Sequence, residues 1–442
     1  MWPPWRLPGL LAVAVTLGLG ASAADDCADI EDLRRRIEQL EAGRPRVGSE
    51  ITQAAWSTAA SPPRRAGGLA SAVDWSGFLQ LDAGAITADD VTTDEVGSIN
   101  AQIGPRRVRL KAAGSVTDSA EFIIDLDFAA SGSPSFRDVA VLFEDVPYVS
   151  RIEIGRFKQP IGLDAYTSGR ELLFMERQLP FAFLPFRQTG VKVGGPLRGG
   201  GLFEVAAYVF PTDSFGVSIG DSGGQSLATR LTRLLVDTDD WLVHVGGGYV
   251  ASNPANNRVR FAIEPGFFVT DPGDSGVGSV PVFVDTGRLP TNTYHVFNIE
   301  FAAARGPLTL ESEARWALVD RLDAPATSFN GFYFQLGWIL IGERRPYRDQ
   351  LAAFGSPEPQ DPYAFGHRPG LGVVELACGF ATIDLNDGDV RGGVLTTFPI
   401  GVNWYPTRQT RLSLNVVPNL LDTASGDTGE SVVFAGRMQV TF

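Results

Sequence analysis

Three cations in one extended stretch give this 442-residue sequence its clearest chemical pattern: Arg107, Arg109 and Lys111 alternate with Val108, Leu110 and Ala112. In a β-strand that period of two puts all three on one face, about 7 Å apart. Such a ladder suits a passage for small anions, because conduction needs groups that draw an ion in without holding it. The same residues have a second arrangement open to them. Asp125 and Asp127 share one face of the following extended stretch, and pairing with them would neutralise part of the field. Lys192, Arg315 and Arg437 fall on the polar parity of their own stretches. Arg156 is out of phase, on the face of Ile152 and Ile154, unless a bulge intervenes. Of 37 basic residues only Lys111, Lys158 and Lys192 are lysines. The rest are arginine, whose permanent charge and planar fork suit oxyanions.

Catalytic patterns are missing. His244, His295 and His367 are scattered, and no metal-ligand spacing, Gly-x-Ser-x-Gly elbow or phosphate-cradling Gly-Lys-Ser/Thr occurs. Glycine clusters at 194–195 and 199–201 precede a strand and read as turns. A hydrolase built on a barrel would need a serine and a histidine on one wall, and neither His244 nor His295 has an identifiable partner. No enzyme, no cofactor and no catalytic or metal-binding residue is expected.

The elements that must position the cations follow from periodicity. Phe122, Ile124, Leu126 and Phe128 alternate with Ile123, Asp125 and Asp127. Leu308, Leu310, Ala314, Trp316 and Leu318 stand opposite Thr309, Glu311, Glu313 and Arg315. Each stretch has one oily and one charged face, as in a soluble β-sandwich or in a membrane barrel whose oily face meets lipid. The end of the sequence favours the barrel. Phe434, Gly436, Met438, Val440 and Phe442 share a face opposite Arg437, Gln439 and Thr441, and an alternating strand ending on Phe442 resembles the outer-membrane assembly signal read by the barrel assembly machinery.

The expected fold is therefore all-β: a transmembrane antiparallel barrel of about sixteen strands, spanning residues 74–442, with a short N-terminal coiled-coil helix. Tight turns near 145–148, 238–240, 305–307 and 406–409 fall at one end. Longer acidic loops near 87–99, 211–224, 252–291 and 418–430 fall at the other. The stretch 343–369 is long yet belongs by parity to the tight-turn end. Trp75, Phe78, Trp241, Tyr249, Trp338, Trp404 and Tyr405 lie near strand ends and read as an interfacial girdle against lipid headgroups.

Residues 1–23 read as a secretory signal peptide, with Arg6, an apolar run at 10–19 and the small residues Ala21-Ser22-Ala23. Residues 24–42 form a short periplasmic coiled-coil segment. Ile30, Leu33, Ile37 and Leu40 make an a/d seam too short to stand alone, which requires several copies held together by something larger. Residues 43–73, rich in Ala, Ser, Pro and Arg, read as a flexible linker. Cys27 and Cys378 are too far apart in the chain to suggest a bridge. The net charge of -14 argues against a nucleic-acid partner.

Two blocks carry a family resemblance. The first is Gly155-Arg156-Phe157-Lys158-Gln159-Pro160-Ile161-Gly162-Leu163-Asp164, followed by Thr167-Ser168-Gly169-Arg170 and Phe174-Met175-Glu176-Arg177. The second comprises Gly331-Phe332-Tyr333-Phe334-Gln335, Gly342-Glu343-Arg344-Arg345-Pro346-Tyr347, Ile383-Asp384-Leu385-Asn386-Asp387 and Gly401-Val402-Asn403-Trp404-Tyr405-Pro406. In this order they resemble the phosphate-selective porin O/P family. The resemblance implies a homotrimeric sixteen-stranded outer-membrane porin whose third outer loop folds inward, with basic residues guiding anions such as phosphate. That loop would run over about 158–186, making Lys158, Arg170 and Arg177 pore-lining along with Arg107, Arg109, Lys111, Lys192, Arg315 and Arg437. A general-diffusion porin with weak or no anion preference is the alternative.

Overall fold

The computed structural model describes residues 73–97, 100–129, 134–211, 223–267, 280–364 and 370–442. The expected signal peptide, coiled coil and nearly all of the linker lie outside the described residues.

Sixteen antiparallel strands form the wall: β1 Asp74–Ala88, β2 Gln102–Thr117, β3 Ala120–Asp127, β4 Ser135–Val146, β5 Ser150–Lys158, β6 Arg187–Pro196, β7 Leu202–Val209 and β8 Gln225–Asp237 make the first half. The second half is β9 Trp241–Asn253, β10 Leu289–Arg305, β11 Leu308–Arg321, β12 Thr327–Ile341, β13 Val373–Asp387, β14 Val390–Thr397 resuming at Ile400–Thr407, β15 Thr410–Asp422 and β16 Thr428–Thr441. The break in β14 falls at Pro399, which has no N–H to give to a ladder; its carbonyl accepts from Gly379, and the neighbouring Phe398 N–H reaches Pro418 O. The sheet closes where β1 pairs with β16 from Phe78 opposite Thr441 to Ala88 opposite Ser431. Closure removes the open edge that hydrocarbon would not tolerate.

Alternation sorts the side chains as the sequence implies, and it settles the choice between sandwich and barrel. Phe434, Met438, Leu414, Trp316 and Phe332 are exposed on the outer surface, whereas Arg437, Gln439, Arg315 and Glu313 are buried on the inner one. Tight turns at 118–119, 147–149, 238–240, 306–307 and 408–409 share one end, and 342–372 joins them. Trp75, Trp241, Trp338 and Trp404 stand outward at strand ends on this side. Phe78 and Tyr405 do not belong to that girdle: both are buried and face inward, Tyr405 bonded to Glu375.

Among the described residues, three segments fill the interior. Residues 159–186 enter from the loop end between β5 and β6, carrying the one-turn helix α1 (Leu163–Tyr166) and a 3-10 turn at Leu179–Phe183. Part of 254–288 enters beside it, where Ala262–Ile263 pairs with Val284–Asp285 and Phe261 meets Phe183 edge-on at 5.2 Å. From the opposite end, 342–372 contributes a small hairpin, Tyr347–Arg348 against Ala353–Phe354. Phe183, Phe261, Phe283, Phe329, Tyr294 and Tyr333 are members of one buried cluster, so this barrel has an internal hydrophobic core as well as an oily outer skin.

Phe442 completes the seam, exchanging backbone hydrogen bonds with Gly77 at 2.9 and 3.0 Å. A Cβ on Gly77 would lie 2.5 Å from its ring and 2.4 Å from Arg109 O. Deleting Phe442, or replacing Gly77 with Ala, is expected to lower the amount of folded, heat-modifiable barrel in outer-membrane fractions while export continues. Normal levels in both variants would show that the seam closes without this contact.

Candidate functional site: the narrowed lumen

The loop 159–186 is made of residues that cannot continue a strand. Pro160, Pro180 and Pro185 interrupt it, and Gly162 turns the chain at φ 89°, where a Cβ would lie 2.2 Å from Glu313 Oε1. Wall side chains then hold its backbone. Glu313 accepts from the N–H groups of Leu163 (2.8 Å) and Asp164 (3.0 Å) and from Tyr333 Oη (2.7 Å), and it pairs with Arg315 at 2.7 Å. Arg411 donates to the carbonyls of Leu172 (2.7 Å) and Leu173 (3.1 Å), and Gln80 to that of Gly169 (3.1 Å). Glu176 of the loop sits among Arg106 (2.9 Å), Arg107 (2.8 Å) and Arg437 (2.6 Å). Arg437 also grips Asp82 at 2.7 Å.

The two inserts meet. Arg345, paired with Glu375 at 2.6 Å, donates to Glu171 O at 3.0 Å, and Arg348 reaches the Glu171 carboxylate at 2.6 Å. What remains between loop and wall is a chamber of about 120 Å³. Seven cations line it, namely Arg109, Lys111, Arg151, Lys158, Arg177, Arg187 and Lys192, against the five carboxylates Asp125, Asp138, Glu153, Glu171 and Glu204. A chain of net charge -14 thus has a narrow point with two positive charges in excess.

Pairing tempers that excess, as the second arrangement foresaw. Arg109 bonds Asp127 at 3.0 Å, Arg187 bonds Asp138 at 2.9 Å, and Lys192 lies between Glu153 (2.8 Å) and Glu204 (3.3 Å). Lys158 donates to the carbonyls of Tyr166 (3.0 Å) and Thr167 (3.4 Å). Arg177 donates to the carbonyls of Asp164 (3.1 Å) and Thr167 (2.7 Å) while its guanidinium lies over the rings of Phe181 and Phe186.

Of the nine basic residues expected to line the pore, the chamber brings together Arg109, Lys111, Lys158, Arg177 and Lys192. The other four correct the expectation. Arg107, Arg315 and Arg437 are buried beneath the loop as its anchors. Arg170 pairs with the adjacent Glu171 at 3.4 Å, and its carbonyl accepts from Gln439. A ladder on one strand therefore splits, because the loop covers its upper rung at Arg107 and leaves Arg109 and Lys111 open. Sequence reasoning missed Arg151 and Arg187. Arg151 shares parity with Glu153 and was legible from it. Arg187 opens β6 on the parity opposite to Lys192 and follows the loop inward, so alternation gives no sign of it.

A closed sixteen-strand barrel with an oily exterior, polar lumen and infolded loop defines a porin. The chain belongs to the phosphate-selective porin O and P family, whose sequence model matches residues 75–442, and it is accordingly an outer-membrane porin. It is 23% identical over 368 residues to Porin O of Pseudomonas aeruginosa, covering 76% of this chain and 81% of that one. An uncharacterized protein of Caulobacter vibrioides is 24% identical over 381 residues, covering 83% of this chain and 73% of the relative. The solved structure of Pseudomonas putida OprB shares the fold at 11% identity and TM-score 0.51, covering 84% of this chain and 94% of that chain.

Two predictions follow from the loop. Glu176→Gln takes the carboxylate from Arg106 and Arg107 and leaves Arg437 with Asp82, and breaking a buried pair costs about 3 to 5 kcal/mol. The expected result is a lower thermal transition by circular dichroism and a larger, noisier single-channel conductance; unchanged traces would mean the loop is held without Glu176. Burial raises the Asp164 carboxyl to about 6. Its charge is thus lost as pH falls through 6, and the native state, which then binds the extra proton, gains relative stability. Anion preference should rise from pH 8 to pH 5, and Asp164→Asn should flatten that pH dependence.

Proposed function

We propose that this porin is a passive water-filled channel for small anions such as phosphate, without catalytic activity. The observation that carries the reading is the surplus of cations over carboxylates in the chamber between the infolded loop and the wall, set within an acidic chain. Screening makes the charges of the outer loops weak there, because they act through about 8 to 10 Å of salt solution. Groups lining a partly dehydrated passage act at shorter range and lower dielectric. Arg109, Lys111, Lys158, Arg177 and Lys192 guide the anion, joined by Arg151 and Arg187. Arg107, Arg315 and Arg437 act indirectly, by holding the loop, and Arg170 pairs with Glu171 within it. The family description supports phosphate as a solute. The ion pairs of Arg109, Arg187 and Lys192 favour the second reading, a general-diffusion porin with weak preference.

The assembled form is proposed to be a homotrimer in outer-membrane lipid, inserted by the barrel assembly machinery after a signal peptide at 1–23 has been cleaved. Residues 24–42 would form a periplasmic coil and 43–73 the linker.

Planar-bilayer reversal potentials in a KCl gradient separate the two readings. The anion channel requires an anion-selective wild type, and Lys111→Gln should lower the anion-to-cation permeability ratio roughly fivefold, the equivalent of about 1 kcal/mol for a unit charge at about 4 Å in a water-like medium. A cation-selective wild type would replace this reading with general diffusion.

A further inference from the structure

A second chamber adjoins the constriction among the described residues. It has a volume of about 300 Å³ and lies against the tight turns, lined by Glu144, Asp145 and the turn-side ends of β6 and β7. Arg151, Lys192, Glu204 and Gln350 face both spaces, so the two are continuous. Their charges differ in sign. The constriction carries seven cations against five carboxylates. The turn-side chamber has two cations, Arg151 and Lys192, against three carboxylates, Glu144, Asp145 and Glu204; with the three shared groups Arg151, Lys192 and Glu204 set aside, the constriction keeps five cations against four carboxylates and the turn-side chamber only Glu144 and Asp145. Along β4 the change runs from Asp138, beside Arg187, to Glu144, six residues or about 20 Å further on. Arg151, Lys192 and Glu204, which face both spaces, mark the junction at which the sign of the fixed charge changes.

We propose that these two oppositely charged zones in series make the channel rectify, with Glu144 and Asp145 as conduction-determining residues at the turn-side exit. Anions are the abundant mobile ions in the first zone and cations in the second. A field that drives anions from the loop end and cations from the turn end brings both abundant species to the junction near Lys192 and enriches it. The opposite field draws both away and depletes it. Conductance is therefore larger when the turn-side compartment is positive. The asymmetry acts on driven current alone and moves no solute at equilibrium. This inference rests on the anion-channel reading for the first zone, and it adds a second zone of opposite sign.

The test is single-channel current at equal and opposite voltages in about 0.05 M KCl, with each barrel's orientation fixed by streptavidin binding to a tag placed in the outer turn at 423–427. The wild type is expected to pass about twofold more current with the turn side positive, and to become symmetric near 1 M KCl, where screening falls to about 3 Å. The double variant Glu144→Gln, Asp145→Asn should be symmetric at low salt and more anion-selective. Asparagine suits position 145, whose φ is 56°. Should that variant not assemble, Lys111→Gln should weaken the asymmetry from the other zone. A symmetric wild type at low salt, an asymmetry of opposite sign, or one that persists in a folded double variant would overturn the proposal. The reversal potential of the same channels keeps the two readings apart. Cation selectivity in the wild type removes the anion reading, whereas anion selectivity with symmetric current removes only the second zone.

Discussion

Glu176 stands where three guanidiniums converge, and the position of the third outer loop depends on that meeting. Arg106 and Arg107 come from β2, Arg437 from β16, and the carboxylate from the loop itself. Each charge would be costly to bury alone, and Glu176, with Asp82 on Arg437, offsets most of the buried positive charge. The loop is thereby fixed at one radius within the lumen. The other contacts refine its path: Glu313 under the helix α1, Arg411 and Gln80 on its carbonyls. Arginine suits this work because each head carries several donors in a fixed plane, enough to serve a carboxylate and a carbonyl at once. The arginines of the lumen therefore fall into two groups, those that anchor the loop and those that line the chamber below it.

The wall was legible in the sequence to a degree that the lumen was not. Alternation fixes which face of β3, β11 and β16 is oily, because lipid outside and water inside impose a strict period of two along each strand. Parity also placed 343–369 at the tight-turn end. It gave no hint that this stretch would rise into the lumen, since its docking rests on contacts between residues far apart in sequence, such as Arg345 with Glu375 and Arg230 with the carbonyls of Leu351 and Ala352. For the same reason the cations could be assigned to the inner face but not to their roles. Arg107 and Arg109 are two residues apart on one strand, and only the covering loop distinguishes an anchor from a pore-lining group.

Arg437, Asp82 and Glu176 have a consequence for the order of events during biogenesis. Asp82 lies on the first strand, Arg437 on the last, and Glu176 on the loop between the fifth and sixth. The three meet only once the first and last strands have found each other, so the loop cannot take its final seat in a barrel whose seam is still open. This part of the loop's seat is therefore complete only in the closed cylinder. A chain with an open seam contains all three of these side chains and still lacks the contact, so one triad joins the first strand, the last strand and the infolded loop.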